Sequence, residues 1–189
     1  MESKEWYYRL GDQTFMVSTK PELLSHDFIQ ASFSDPIMYW AKPISSENLR
    51  IMLDNSCLLG LYLKSPDPLP PSESTAENLV SPAAPLQPPF MFTQIGMARL
   101  VTDYMTLAFL TDVFVVPEHQ GKGLGKWMIQ CVKKLTDAMP ELRRVMFMAK
   151  NAPHAVKFYE ELLDAKMHDQ ERGKVVFMSS RDPEVDVLS

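Results

Sequence analysis

A layered α/β domain is the fold class that this sequence predicts, on three observations. Short apolar runs at Cys57–Leu63, Ile95–Thr102 and Val145–Met148 are too brief for helices and read as strands. Lys126–Met139, by contrast, places Met128, Cys131, Val132, Leu135 and Met139 on one helical face and Lys126, Gln130, Lys133, Lys134 and Asp137 on the other, with Pro140 at its end. The run Thr106–Val116 is almost continuously apolar and rich in β-branched and aromatic residues, as a central strand covered on both faces would be.

The elements follow in order. One strand is expected ahead of two helices. The first helix should follow Thr19, with Glu22 in capping-box spacing, Pro21 in the first turn, and Leu24, Phe28 and Ala31 on one face. The second begins at Ser45, with Ile44 and Leu49 placed for a hydrophobic staple, and ends near Asn55. Cys57–Leu63 and Ile95–Thr102 are expected as neighbouring strands of a hairpin. A helix over Ala155–Leu163 and a last strand at Val175–Met178 complete the pattern.

Length and composition bound the class. With 189 residues the chain suits a single domain, 1–189, able to bury one core without disulfides or metal. Residues 64–90 hold eight of the fifteen prolines and no hydrophobic periodicity, which reads as a flexible insertion within the hairpin. Hydrophobic residues make up 46% and charged residues 23%, and no apolar run is long enough to cross a bilayer. The net charge of -5, without a dense run of Lys or Arg, lacks the footprint of a nucleic-acid binder. The first residues, Met1 to Trp6, carry neither a cationic apolar leader nor an arginine-rich one, so a cytosolic location, or one shared with the nucleus, is expected. Cys57 and Cys131 suit buried thiols better than a disulfide or a metal site.

The chemistry concentrates in one segment. Val113-Phe114-Val115-Val116-Pro117-Glu118 passes through His119 and the turn Gln120-Gly121-Lys122-Gly123-Leu124-Gly125 into a helix beginning with Lys126. Such a turn aims backbone N–H groups and the positive end of a helix dipole at one point, which suits a phosphate. It is not a P-loop, lacking Gly-Lys followed by Ser or Thr, and its Gly-x-Gly-x-Gly is not the dinucleotide spacing Gly-x-Gly-x-x-Gly. His119, in the turn itself, reads as a solvated loop side chain.

Gln-x-x-Gly-x-Gly after a strand ending Val-Val-Pro-Glu resembles motif A of the GNAT acetyltransferases. The resemblance spans the chain apart from the proline-rich insertion. It implies an acyl-CoA N-acyltransferase fold: a central mixed, mostly antiparallel sheet flanked by helices. It also implies acetyl-CoA as acyl donor, with Val113, Phe114 and Val115 pairing with pantetheine. Gln120, Gly121, Lys122, Gly123, Leu124, Gly125 and Lys126 would then hold the pyrophosphate. Downstream, Asn151-Ala152-Pro153-His154-Ala155-Val156-Lys157-Phe158-Tyr159 resembles the family's Asn-x-x-Ala-x-x-Phe-Tyr element, with Asn151 one residue further from the Tyr than usual. The resemblance makes Tyr159 the acid that protonates departing CoA and puts Asn151 near the coenzyme.

Asp112 stands in an apolar strand, where an unpaired carboxylate is costly, so it needs a partner or a task. It is the candidate base for the acceptor amine, or else it binds backbone groups or a nearby Arg. Tyr39 and Trp40, in the connection between the first two helices, either clasp the acceptor or plug the core edge. The expected reaction is direct transfer of acetyl from acetyl-CoA to a primary amine in a ternary complex, with no metal, by a monomer or homodimer. The alternative is a catalytically silent acyl-CoA-binding regulator; a structural domain whose turn binds nothing is a further rival.

Overall fold

The computed structural model describes residues 2–65 and 92–167, so most of the proline-rich insertion and the strand expected at Val175–Met178 lie outside the described residues. Instead of one strand, the chain opens on a hairpin. β1 (Glu5–Leu10) and β2 (Gln13–Ser18) pair antiparallel around Gly11, whose φ of +56° glycine adopts without strain. β1 is an edge strand in which only Trp6 is even half-buried, so it carries no hydrophobic alternation from which to read it.

The first helix starts later than the capping-box spacing implies. Pro21–Leu23 makes only a 3-10 turn between extended residues, and α1 (His26–Phe33) begins after Ser25, whose Oγ accepts the Phe28 N–H at 3.2 Å. The Thr19 hydroxyl is taken by a tertiary partner, accepting the Lys4 N–H at 2.8 Å across the hairpin. A cap residue engaged elsewhere initiates no helix. The buried face is Ile29, Ser32 and Phe33, while Ala31 is exposed. α2 (Ser46–Asp54) matches expectation: Ser45 caps it by accepting the Asn48 N–H at 3.2 Å, Leu49 is buried, and Asn55 ends it.

Among the described residues six strands form one sheet in sequential order, completed by β3 (Cys57–Lys64), β4 (Phe92–Thr102), β5 (Leu107–Val115) and β6 (Arg144–Phe147). All neighbours are antiparallel except β5 and β6, whose parallel pairing requires a crossover. α3 (Leu124–Asp137) supplies it, and α4 (Pro153–Leu163) follows β6. The predicted mixed, mostly antiparallel sheet flanked by helices is the architecture found. Two apolar clusters line its faces: one joins α3 and α4 to Leu59, Leu61, Leu100 and Leu110, the other joins α1 and α2 to Leu58, Met97 and Phe114. Cys57 and Cys131 are free, buried thiols, and burial raises the pKa of each to about 11.

β5 departs from expectation in one respect. Its first half is less covered on one face, where Leu107 and the neighbouring Val101 of β4 are exposed and Phe109 is half-buried. The strands nonetheless approach closely further along, where a Cβ on Gly96 would lie 2.7 Å from the Phe114 carbonyl oxygen. Gly96→Ala should therefore force β4 and β5 apart and cost roughly 1–3 kcal/mol, read as a lowered urea midpoint. An unchanged midpoint would show that the strands can yield.

Candidate active site

The site is organised by an irregularity in β5. Between the pairs Met97 with Phe114 and Arg99 with Thr111, β4 advances two residues and β5 three, so β5 holds one extra residue, a β-bulge. Asp112 sits there with φ +51°, a left-handed conformation that aspartate tolerates better than most residues. The bulge reverses the alternation of the strand. Ala108 and Leu110 before it face the α3/α4 cluster, as do Val113 and Val115 after it, while Phe114 joins the α1/α2 cluster. Thr111 and Asp112 consequently lie on the same side, and the Thr111 hydroxyl donates to Asp112 Oδ1 at 3.1 Å.

Asp112 is bound on both oxygens. Oδ2 accepts from Arg99 Nε at 2.6 Å, and Oδ1 also accepts the Trp40 indole N–H at 3.2 Å. The Arg-bound alternative for this carboxylate is the arrangement observed, and Asp112 and Trp40 are brought together. The pair is nearly dry, with side-chain exposures of 17% for Arg99 and 6% for Asp112. Arg99 continues to the Ser56 hydroxyl at 3.1 Å. Tyr39 packs edge-on against Trp40 with ring centroids 4.9 Å apart, and both rings are exposed.

Arg99 and Ser56 were not singled out from the sequence. A signal existed, because an Arg within Gly96-Met97-Ala98-Arg99-Leu100-Val101 is a charge in an apolar strand and needs a partner. Its identity required the register.

Beyond the bulge, β5 turns hydrogen-bonding groups outward. The Val116 N–H donates to the Ile95 carbonyl at 2.9 Å, which makes Gly96 and Val115 a non-hydrogen-bonded pair. The Val115 N–H and carbonyl thus point away from β4. On that side β6 pairs with β5 only from Leu107 to Leu110, so the two strands part before Val113. The Val115 carbonyl is capped by Gln120 Nε2 at 2.8 Å, which gives Gln120 the task of fastening the turn to the strand.

The turn leads from the 3-10 segment Pro117–His119 into α3. Gly121 and Gly123 adopt φ of +73° and +78°, and a Cβ on either would meet nothing within 4 Å. Both glycines answer to backbone conformation and to open space above them. Gly123 at the N-cap offers no side chain to the first N–H groups of α3, and the first turn contains no acidic residue. Lys122 lies 3.3 Å from His119 Nδ1, and burial followed by that positive charge lowers the His119 pKa. This donor set fits an anion. Leu124 is buried beneath it, whereas Lys126 is exposed.

Tyr159, on α4, packs its ring against Phe147 at the end of β6, centroids 4.6 Å apart, and against Phe158 at 5.0 Å. It shares the α3/α4 cluster with Val113, at the side where β5 and β6 separate. Burial raises its pKa. Asn151 is exposed, two residues ahead of α4. Among the described residues no group of three or more His, Cys, Asp and Glu could hold a metal ion, and no helix is long and apolar enough to cross a membrane.

The chain is similar to known proteins. Residues 91–164 match the acetyltransferase (GNAT) family. A protein of Gibberella zeae, named as a candidate acetyltransferase, is 32% identical over 164 residues, spanning 87% of this chain and 88% of its own. Among solved structures, a candidate GNAT-family acetyltransferase from Xanthomonas campestris pv. campestris superposes with a TM-score of 0.57 at 24% identity, over 87% of this chain and 93% of that one. A GNAT-family acetyltransferase from Streptococcus pneumoniae superposes with a TM-score of 0.53 at 14% identity, over 90% and 99%. At such identities the two structures attest the fold.

The bulge makes an ordered prediction for Asp112. Asp112→Ala leaves a half-buried Arg99 without its carboxylate and strains the backbone, and should cost about 2–4 kcal/mol. Asp112→Gly, which relaxes at positive φ, should cost less, and Asp112→Asn least, since it keeps acceptor geometry for Trp40. Denaturant unfolding of the three variants checks the order. Equal losses for Ala and Gly would mean that the backbone conformation contributes nothing.

Proposed function

This chain belongs to the GNAT family of acetyltransferases, and we propose that it transfers acetyl from acetyl-CoA to a primary amine by direct attack in a ternary complex. The observation that carries this reading is one continuous segment presenting an outward-turned Val115 N–H at one end and the glycine entry to α3 at the other. The first suits a thioester and the second a pyrophosphate.

In this reading Val113, Phe114 and Val115 hold pantetheine as an added strand would be held, on the edge that β6 does not cover. The amides from Gly121 to Lys126 hold the pyrophosphate, with Lys122 and Lys126 adding positive charge and Leu124 and Gly125 setting the start of the helix. Gln120 acts through Val115, and Asn151 borders the coenzyme from the approach to α4. The donor supplies an activated acetyl group; the chain supplies alignment, the Val115 N–H toward the thioester oxygen, and a proton. A carbon–nitrogen bond forms as the carbon–sulfur bond breaks.

Tyr159 gives its phenolic proton to the departing thiolate. The proton lost by the amine passes to water, because Arg99, Trp40 and Thr111 occupy the Asp112 oxygens and leave that residue a positioning task. Tyr39 and Trp40 wall the acceptor. Burial favours the neutral phenol, so the acid form of Tyr159 should persist through neutral pH, with any alkaline loss of kcat from this group lying above about pH 10.

Tyr159→Phe should lower kcat by roughly 10²- to 10⁴-fold with little change in acetyl-CoA affinity, and the defect should shrink with a donor whose thiol leaves more readily. Unaltered turnover, or an equal defect with both donors, removes the acid assignment. Gly123→Val should leave a folded protein with acetyl-CoA affinity reduced by about 1–3 kcal/mol or more, because a branched side chain would screen the amides and strain the turn. Calorimetry reads this directly. Retained acetyl-CoA binding with no CoA released across a broad amine panel would favour the silent regulator instead.

A further inference from the structure

We infer that this chain pairs with a second copy of itself, β1 antiparallel to β1 about a two-fold axis at Tyr7, so that the two sheets run on as one. The inference is independent of the transfer reading and concerns the other end of the sheet. Among the described residues β1 has β2 as its one neighbour, and its outer side is a sheet edge. An edge strand presents a row of unpaired N–H and carbonyl groups that another chain can join unless the edge is protected.

The hairpin fixes which groups those are. The Thr19 N–H donates to the Lys4 carbonyl at 3.0 Å, and the register runs unbroken from Glu5 with Ser18 to Leu10 with Gln13. Hydrogen-bonded and non-hydrogen-bonded pairs alternate along an antiparallel ladder. Lys4, Trp6, Tyr8 and Leu10 therefore turn their backbone groups toward β2, while Glu5, Tyr7 and Arg9 turn theirs outward. Pairing centred on Tyr7 sets that residue opposite Tyr7 of the second copy and Glu5 opposite its Arg9, each as a hydrogen-bonded pair. No other two-fold register matches all of these outward residues with one another.

The side chains agree with the register. Glu5, Tyr7 and Arg9 share one face, as residues two apart on a strand do. Arg9 is exposed and has no ion-pair partner among the described residues. Glu5 holds Lys20 through Oε1 at 3.1 Å and the Tyr7 hydroxyl through Oε2 at 3.2 Å, and a carboxylate retains lone pairs for a guanidinium. Ion pairs this exposed add little affinity but select the register, since pairing centred on Glu5 or on Arg9 would oppose like charges.

The rings add contact on both faces. Tyr7 is 58% exposed and meets its own copy across the axis. On the opposite face Trp6 falls opposite Tyr8 of the second copy, a ring already held against Trp127 of α3 with centroids 5.3 Å apart. β1 contains no Pro, Lys or bulge to blunt the edge. Its surface is self-complementary, as a two-fold interface requires. The coenzyme segment of β5 lies toward the other end of the strand order, so this pairing leaves the candidate active site open.

Sedimentation velocity over a concentration series tests the pairing. The native protein should sediment as a dimer at about 100 µM. A monomer at that concentration overturns the inference, and slow exchange of the Tyr7 and Arg9 amides in that monomer would assign the edge to another segment of the same chain. Tyr7→Pro removes an outward N–H and spares the bonds to β2, a change that edge strands tolerate, and should raise the dissociation constant by roughly tenfold or more. A folded variant that dimerises as the native protein does excludes β1. Arg9→Glu and Glu5→Arg each oppose like charges on both sides of the axis and should each weaken the dimer by about tenfold. Mixed together, the two variants place opposite charges across the axis again and should form the mixed dimer in preference to either homodimer. No such preference removes the pairing of Glu5 with Arg9, and this arm stands even if Tyr7→Pro does not fold.

Discussion

The rest of the site depends on the ion pair between Arg99 and Asp112. A carboxylate inserted into an apolar strand would ordinarily be excluded by its desolvation cost, and an aspartate at positive φ adds backbone strain. Arg99, one strand away in register with Thr111, offsets both by meeting the carboxylate where the bulge directs it. Once that pair is in place the extra residue of β5 has one position. Every side chain beyond it changes face relative to an unbroken strand.

That reversal separates two environments along a single strand. Val113 and Val115 are turned toward α3 and α4, where Tyr159 stacks on Phe147, while Thr111 and Asp112 are turned toward Trp40 and Arg99. A buried ion pair is weak evidence for stability, since apolar replacements of equal volume are often as stable. Its value here is geometric. It fastens the connection between α1 and α2 to the strand through Trp40, and it fastens β4 to the end of α2 through Ser56.

The glycine turn is joined to the same strand by a shorter chain of bonds. Because Gly96 and Val115 form a non-hydrogen-bonded pair, the Val115 carbonyl faces outward, and Gln120 reaches back to it. The direction of Val115 and the direction of the α3 amides are thereby set by one local structure. The two positive-φ glycines complete it, as most other residues would resist that backbone.

What the sequence by itself determined is whatever local chemistry suffices to specify. The amphipathic period of α3, the cap at Ser45, the strands of the β3–β4 hairpin and the glycine turn were legible because each is encoded within a dozen neighbouring residues. The motif likewise carried the family. The N-terminal hairpin escaped because its edge strand is exposed and shows no alternation, and the first helix was misplaced because Thr19 found a partner in Lys4. The bulge and the capture of Asp112 by Arg99 and Trp40 belong to tertiary structure alone. Each depends on register between strands far apart in the chain, and a shift of one residue would send the same side chains to the opposite face.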